Sequence, residues 1–365
     1  MFYTYLGYPL LLIVISKIKS RPVKKGDIIF RVSFIITAYN EEKRIREKVE
    51  NTLEQDYPKD KLEIIVASDC SSDRTDEIVK SYKFQGVRLV RAIERKGKEA
   101  AQKLAVDKAV GEIFVFSDVA TMLSSHGIKN IVRNFNDPTV GCVSSVDRFV
   151  DSDGKISGEG TYIKYEMLLR NLETQVNTLV GLSGSFFAAR KEVCQDWAVD
   201  LQSDFNTLLN SIKTGLRGVS DPESIGYYKN IIDEKKEFER KVRTVIRGIS
   251  VLMKSLSLLN PFRYGLFSWQ LFSHKLCRWF VPFAMILVFM SNLFLFSHHK
   301  LYQYIILLQL LFYAVAFGSS IRKNFPFKSV MKIPFYFVIS NLSILMAWYG
   351  YIKGDRLITW EPSKR

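Results

Sequence analysis

Three stretches without a charged residue, Phe280–Ser297, Leu301–Ile321 and Ile333–Ile352, constrain this chain more than any other feature. At 18, 21 and 20 residues, each is long enough as a helix to cross about 30 Å of hydrocarbon. Trp279, Tyr302, Trp348 and Tyr349 lie near their ends, where aromatic side chains suit the membrane interface. Charge instead concentrates before residue 260. That segregation predicts a polar folded body with membrane anchors, because one globular core would mix the two. Met1–Ile15 is also apolar but short for a span, and reads as a tilted or re-entrant anchor. It lacks a basic n-region and a small-residue cleavage site, which disfavours a removable signal peptide.

The 365 residues leave room for one α/β domain beside the anchors. The net charge of +15 flanks the apolar segments. Lys17, Lys19, Arg21, Lys24 and Lys25 follow the first, and Arg322, Lys323, Lys328 and Lys332 separate two others. If all four segments span, the positive-inside rule places residues 17–279 and 322–332 in the cytoplasm and both termini outside. Lys353, Arg356, Lys364 and Arg365 in the tail run against that placement. No basic tract is interleaved with aromatics, so nucleic acid is not an expected partner. Cys70, Cys142, Cys194 and Cys277 form no C-x-x-C pair, which argues for buried thiols in a reducing compartment. His274, near Trp269, Phe272 and Trp279, reads as an interfacial anchor, and His298 and His299 as solvated residues of a loop between spans.

Strand and helix patterns alternate between the anchors. Strands are expected at Val32–Ala38, Leu62–Ser68, Val87–Ala92 and Glu112–Asp118, and helices at Asp73–Phe84 and Lys98–Val110. A charged helix after the first strand should bury Ile45, Val49 and Leu53. The order predicts an α/β fold with a largely parallel sheet, whose ligands bind at the carboxyl ends of the strands. Tyr39, Asn40, Glu41, Asp69 and Asp118 stand there. A carboxylate at Asp69 or Asp118 can accept from a base N–H or ligate Mg²⁺ or Mn²⁺ on a pyrophosphate. Asp73 reads as a helix cap. Asp204 is either a cap for the helix bearing Leu208, Leu209 and Ile212 or a general base. Glu234–Lys254 reads as a basic amphipathic helix at a lipid surface.

These residues resemble those of family 2 glycosyltransferases, whose fold is GT-A, a Rossmann-like mixed, mainly parallel sheet. Val32–Glu42 looks like the opening strand, placing Ala38, Tyr39, Asn40 and Glu41 at the donor. Ile64–Thr75 resembles the nucleotide-binding turn, with Asp69 on a uracil base. Arg95-Lys-Gly-Lys98 resembles the basic loop near the diphosphate. Ser117-Asp-Val-Ala-Thr121 occupies the D-x-D position, so Asp118 would be the metal ligand. Ala120 replaces the second Asp and donates nothing. Gly181–Ser185 with Arg190 resembles the acceptor-side strand, giving Gly184 and Ser185. Ser203-Asp-Phe205 resembles the segment of the catalytic base, Asp204, with Ser203 on the acceptor side. Glu166 matches an acceptor-side helix position or forms a surface ion pair. Glu239–Arg243 lies where processive synthases carry Q-x-x-R-W, and Arg243 would reach the diphosphate; the motif itself is absent.

The resemblance spans roughly Val32–Arg278 and is strongest to membrane-bound poly-N-acetylglucosamine, cellulose and hyaluronan synthases. It implies an anchor at 1–18, a cytosolic GT-A domain at 19–250, interfacial helices at 251–279, three transmembrane helices at 280–352 and a tail at 353–365. The implied activity is inverting transfer from a nucleotide-sugar, a UDP-sugar by expectation, to a growing glycan at a bacterial inner membrane. Mg²⁺ or Mn²⁺ would be the cofactor, and a secretion partner or a homo-oligomer would complete the apparatus. Single addition to a lipid-phosphate carrier is one alternative. A nucleotide-sugar-binding protein that has lost catalysis, as Ala120 suggests, is another.

Overall fold

The computed structural model describes residues 1–150, 161–229, 234–321 and 328–356. Arg322, Lys323, Lys364 and Arg365 lie outside the described residues, as do the side chains of Lys328 and Lys332. The chain divides into two compact units, one comprising Pro9–Asn230 with Val251–Leu271, the other Met1–Tyr8, Ile231–Ser250 and Phe272–Arg356.

The first unit is built on an eight-stranded sheet. Its strands are β1 (Val32–Ala38), β2 (Leu62–Ser68), β3 (Val87–Arg91), β4 (Ile113–Asp118), β5 (Met122–Leu123), β6 (Val140–Val150), β7 (Phe186–Arg190) and β8 (Arg217–Lys229). Their order is β3-β2-β1-β4-β7-β6-β8-β5. The first four run parallel, β6 pairs parallel with β8, and β7 and β5 run antiparallel to their neighbours. All seven residues of β1 are buried, as expected of a central strand covered on both faces. Helices α1 (Tyr8–Ile18), α2 (Ile45–Leu53), α3 (Thr75–Ser81), α4 (Lys98–Val106), α5 (Gly127–Val132), α6 (Thr161–Val176) and α7 (Ser203–Lys213) follow in chain order. Phe34, Ile36, Ile45, Val49, Val115, Phe135, Val143 and Phe186 are among the core they build with the sheet.

The expected strands β1 and β2 keep their limits, whereas two helices are shorter than their patterns. Helix α3 starts at Thr75 because the Asp73 carboxylate takes that residue's amide and hydroxyl, at 3.0 and 2.5 Å. Helix α4 ends at Val106 because the chain must turn to lay Gly111 on β1. A Cβ at Gly111 would lie 2.5 Å from the Ser33 nitrogen.

The linker before β1 is stitched to this unit. The buried Arg217 guanidinium donates to the carbonyls of Arg21 and Pro22, at 2.8 and 3.3 Å, and to Asp137 at 3.0 Å. Lys25 Nζ lies 2.7 Å from Asp221 Oδ1, whose side chain is wholly buried. Burial pushes the Asp137 carboxyl up, but the Thr139 hydroxyl and amide, Arg217 and the Lys24 amide outweigh it and hold it at about 2.

Among the described residues, three helices are long and apolar enough to cross a membrane: Leu266–Phe294, Lys300–Gly318 and Ile333–Lys353. The first begins well before Phe280 because helical hydrogen bonding runs on through a π-turn at Phe272–Leu276. Tyr3–Ile18 is a shorter apolar helix. Within the second unit Trp348 Nε1 donates to the Trp279 carbonyl at 3.0 Å, and Asn292 to Gln309 at 3.3 Å. This unit also holds most of α8 (Glu234–Met253).

Candidate active site

The carboxyl ends of β1, β2 and β4 meet where Tyr39–Glu41, Asp69 and Asp118 leave the sheet. Past the buried Ala38, Asn40 takes a left-handed φ of 51°, one that asparagine tolerates better than most residues. Its Oδ1 accepts the Ser72 amide at 2.8 Å, and the Glu41 amide donates to Thr75 Oγ1 at 2.7 Å. Burial pushes the Glu41 carboxyl up, against the Arg44 guanidinium 2.6 Å away.

Asp69 is 1% exposed and faces the basic loop. Its two oxygens accept the amides of Lys96 and Gly97, at 3.0 and 2.9 Å. Gly97, at φ 99° and ψ 170°, makes the turn into α4, a conformation essentially restricted to glycine. The loop therefore reaches out with Arg95 and Lys98. The Arg95 guanidinium carbon lies 3.9 Å from the centroid of the Tyr39 ring. Lys98 Nζ lies 2.5 Å from Asp118 Oδ1 and 3.0 Å from the Gly184 carbonyl oxygen. Asp118 keeps 27% of its side chain exposed and Lys98 only 10%, so the carboxylate is the more open of the two to a ligand.

Gly184 joins this pair to Asp204. A Cβ there would stand 3.0 Å from Asp204 Oδ2, so the missing side chain lets the carboxylate approach the backbone just before β7. Asp204 is the second residue of α7, and Gln202, not Asp204, holds the N-cap position. The capping alternative for Asp204 is therefore not what the helix uses. Its Oδ2 accepts from Gln202 Nε2 at 3.1 Å. The Ser203 amide meets Glu99 Oε1 at 3.4 Å, tying α7 to α4.

Ser185 Oγ donates to Asp147 Oδ1 at 2.5 Å, and its carbonyl accepts the Asp118 amide at 2.9 Å. The Ser117 side chain is buried. Glu166 is half-buried on α6. Arg243 stands on α8, in the other compact unit. Burial and the charges of Arg247 and Arg240 lower its pKa.

Two residues escaped sequence reasoning. Asp147 binds the hydroxyls of both Ser183 and Ser185, and nothing in its strand pattern marks it. Lys48 has no solvent exposure and donates to the Thr121 carbonyl at 2.5 Å. Burial pulls its ammonium down to about 7, against the attraction of Asp118. The signal was available in Lys48, Asn51, Thr52 and Gln55, a polar stripe at helical spacing.

Among the described residues, no three His, Cys, Asp or Glu side chains come together as a metal site. Asp118 with Ala120 offers one carboxylate. That set fits a divalent ion whose other ligands are donor phosphates and water.

Known proteins share this sequence pattern and this fold. The chain is 23% identical over 264 residues to the dolichyl N-acetyl-α-D-glucosaminyl phosphate 3-β-D-2,3-diacetamido-2,3-dideoxy-β-D-glucuronosyltransferase of Methanococcus voltae, covering 64% of this chain and 78% of that protein. It is 26% identical over 209 residues to the poly-β-1,6-N-acetyl-D-glucosamine synthase of Staphylococcus aureus, covering 55% of this chain and 50% of the synthase. It spans about half the length of several such relatives and only 18% of others. The solved mannosyltransferase PcManGT from Pyrobaculum calidifontis, in complex with GDP-Man and Mn²⁺, superposes with a TM-score of 0.73 at 22% identity, covering 97% of both chains. That likeness shows the fold, a GT-A-like mixed sheet with mainly parallel strands. Residues 33–197 match the model of Glycosyl transferase family 2.

Proposed function

We propose that the chain is an inverting glycosyltransferase that moves a sugar from a nucleotide-sugar, by preference a UDP-sugar, to a hydroxyl of a glycan acceptor at a membrane. The observation that carries this reading is the Asp118–Lys98–Gly184–Asp204 series. A basic group for the diphosphate and a carboxylate for the acceptor meet on one backbone residue. The acceptor oxygen attacks the anomeric carbon as the bond to the diphosphate breaks. Asp204 receives the hydroxyl proton, and the nucleoside diphosphate departs. Lys98 answers the charge that develops on the leaving group, and Tyr39, Asn40, Glu41 and Arg95 wall the donor. Asp69 serves the donor by holding the loop that carries Arg95 and Lys98. Gly184, Ser185, Ser203 and Glu166 belong to the acceptor side.

Asp118 would hold a Mg²⁺ or Mn²⁺ ion together with the donor phosphates. When bound, such an ion neutralises diphosphate charge.

The three apolar helices support an integral membrane protein. The assignment is an anchor at 1–18, a catalytic domain at 19–250 facing the cytoplasm, interfacial helices at 251–279, spans at 280–352 and a tail at 353–365. A lipid-linked glycan suits the acceptor, since the Methanococcus voltae relative is named for a dolichyl phosphate-linked substrate. Stepwise polymer growth is the second reading, favoured by the likeness to the poly-N-acetylglucosamine synthase.

The deciding experiment is donor-dependent release of nucleoside diphosphate by the detergent-purified chain, across UDP-, GDP- and dTDP-sugars with and without Mn²⁺. Release from one donor supports the reading. No release from any donor, with lipid extract supplied as acceptor and the protein folded, counts against it.

A further inference from the structure

A lysine with no solvent exposure is costly to keep charged, and Lys48 on α2 is one. Its Nζ lies 5.3 Å from the centroid of the Phe34 ring and donates to the Thr121 carbonyl. The same helix face laces the residues that follow. Asn51 Nδ2 donates to the Leu123 carbonyl and its Oδ1 accepts the Leu123 amide, both at 2.9 Å. Gln55 Nε2 donates to the Ser124 carbonyl at 2.9 Å, and its Oε1 accepts the Ile128 amide at 3.2 Å. Neutral amides therefore suffice to hold this segment at Leu123 and Ser124. At Thr121, the member of the lace nearest Asp118, the job falls to the Lys48 side-chain nitrogen. The turn between them closes through the Thr121 amide on the Asp118 carbonyl at 3.2 Å. Ala120 leaves this turn with one carboxylate, which Lys98 holds from the loop side, so the backbone of the turn must set its direction.

We propose that Lys48 is a positioning residue of the donor turn: by holding the Thr121 carbonyl it fixes the direction in which Asp118 faces the donor phosphates. The inference rests on the glycosyltransferase reading. Lys48 touches neither donor nor acceptor and acts through the turn. A medium-sized apolar side chain would fill its space at lower desolvation cost, which is the reason to assign its retention to the site.

The test compares Lys48→Met and Lys48→Gln with the unaltered full-length chain in detergent. Binding of UDP and GDP is measured by calorimetry with and without Mn²⁺, alongside thermal melting and donor turnover. Both variants should melt within about 5 °C of the unaltered chain. Lys48→Met should bind the preferred nucleotide about 10- to 100-fold more weakly in the presence of Mn²⁺, and Lys48→Gln should lose less. Affinity of Lys48→Met within about twofold of the unaltered chain overturns the proposal. So does failure of both variants to fold, which would make Lys48 a folding residue. An unaltered chain that binds neither nucleotide removes the glycosyltransferase reading itself, before any variant is compared.

Discussion

Asp69 holds Gly97 by its amide at 2.9 Å while its other oxygen holds the neighbouring amide of Lys96 at 3.0 Å. One buried carboxylate thus sets the path of the whole basic loop, with Arg95 before these amides and Lys98 after them. Asp69→Ala should cost about 2–3 kcal/mol of stability, since two charge-assisted bonds are lost. Donor affinity should fall with it, and Asp69→Asn should fall between. Melting curves and UDP titration check this; an Ala variant with normal UDP affinity would detach the loop from the donor.

Asp204→Asn keeps the shape of the acceptor side and removes the proton acceptor. Turnover should drop by about 10²- to 10⁴-fold, with donor affinity unchanged. Single-turnover rates beside nucleotide titration separate the two. A fall in affinity equal to the fall in rate would place Asp204 at the donor.

Lys98→Met removes the cation between Asp118 and Gly184. The kcat/KM for the donor should fall by about 10²-fold, and saturating Mn²⁺ should not restore it. Full rescue by Mn²⁺ would mean that Lys98 only fills the place of an ion.

The pH dependence of folding offers a test away from chemistry. The Asp137 carboxyl is held at about 2 in the folded chain and returns to about 3.9 when unfolded. A depressed carboxyl gives its stabilisation in full above the unfolded value and loses it as pH falls through the folded one. Stability should therefore decline by about 2 kcal/mol between roughly pH 4 and pH 2 from this group. Asp137→Asn should flatten that limb of a urea-denaturation series and lower stability at neutral pH.

Strand limits such as Val32–Ala38 and the strand-end residues Asp69 and Asp118 were legible because apolar runs and turn residues are local signals. The antiparallel pairing of β7 with β4 and β6 was not, since pairing joins residues far apart in sequence. The stripe Lys48, Asn51, Thr52 and Gln55 was visible, but its burial was not. A lysine in a charged helix reads as solvated, and only the fold reveals Thr121 and Phe34 around it. Asp69 was legible as a strand-end carboxylate, but its partners, two backbone amides, carry no sequence signature.

The stitched linker has a consequence for reach. Thirteen residues separate Ile18 from Val32, and fully extended they would span about 45 Å. A leash of that contour would let the sheet wander and tumble beneath its first helix. Arg217 and Lys25 fasten it along its course, on the carbonyls of Arg21 and Pro22 and on Asp221. The free length between α1 and the sheet thus shrinks to the few residues before Arg21, and side-chain bonds, not contour, set the path of the linker.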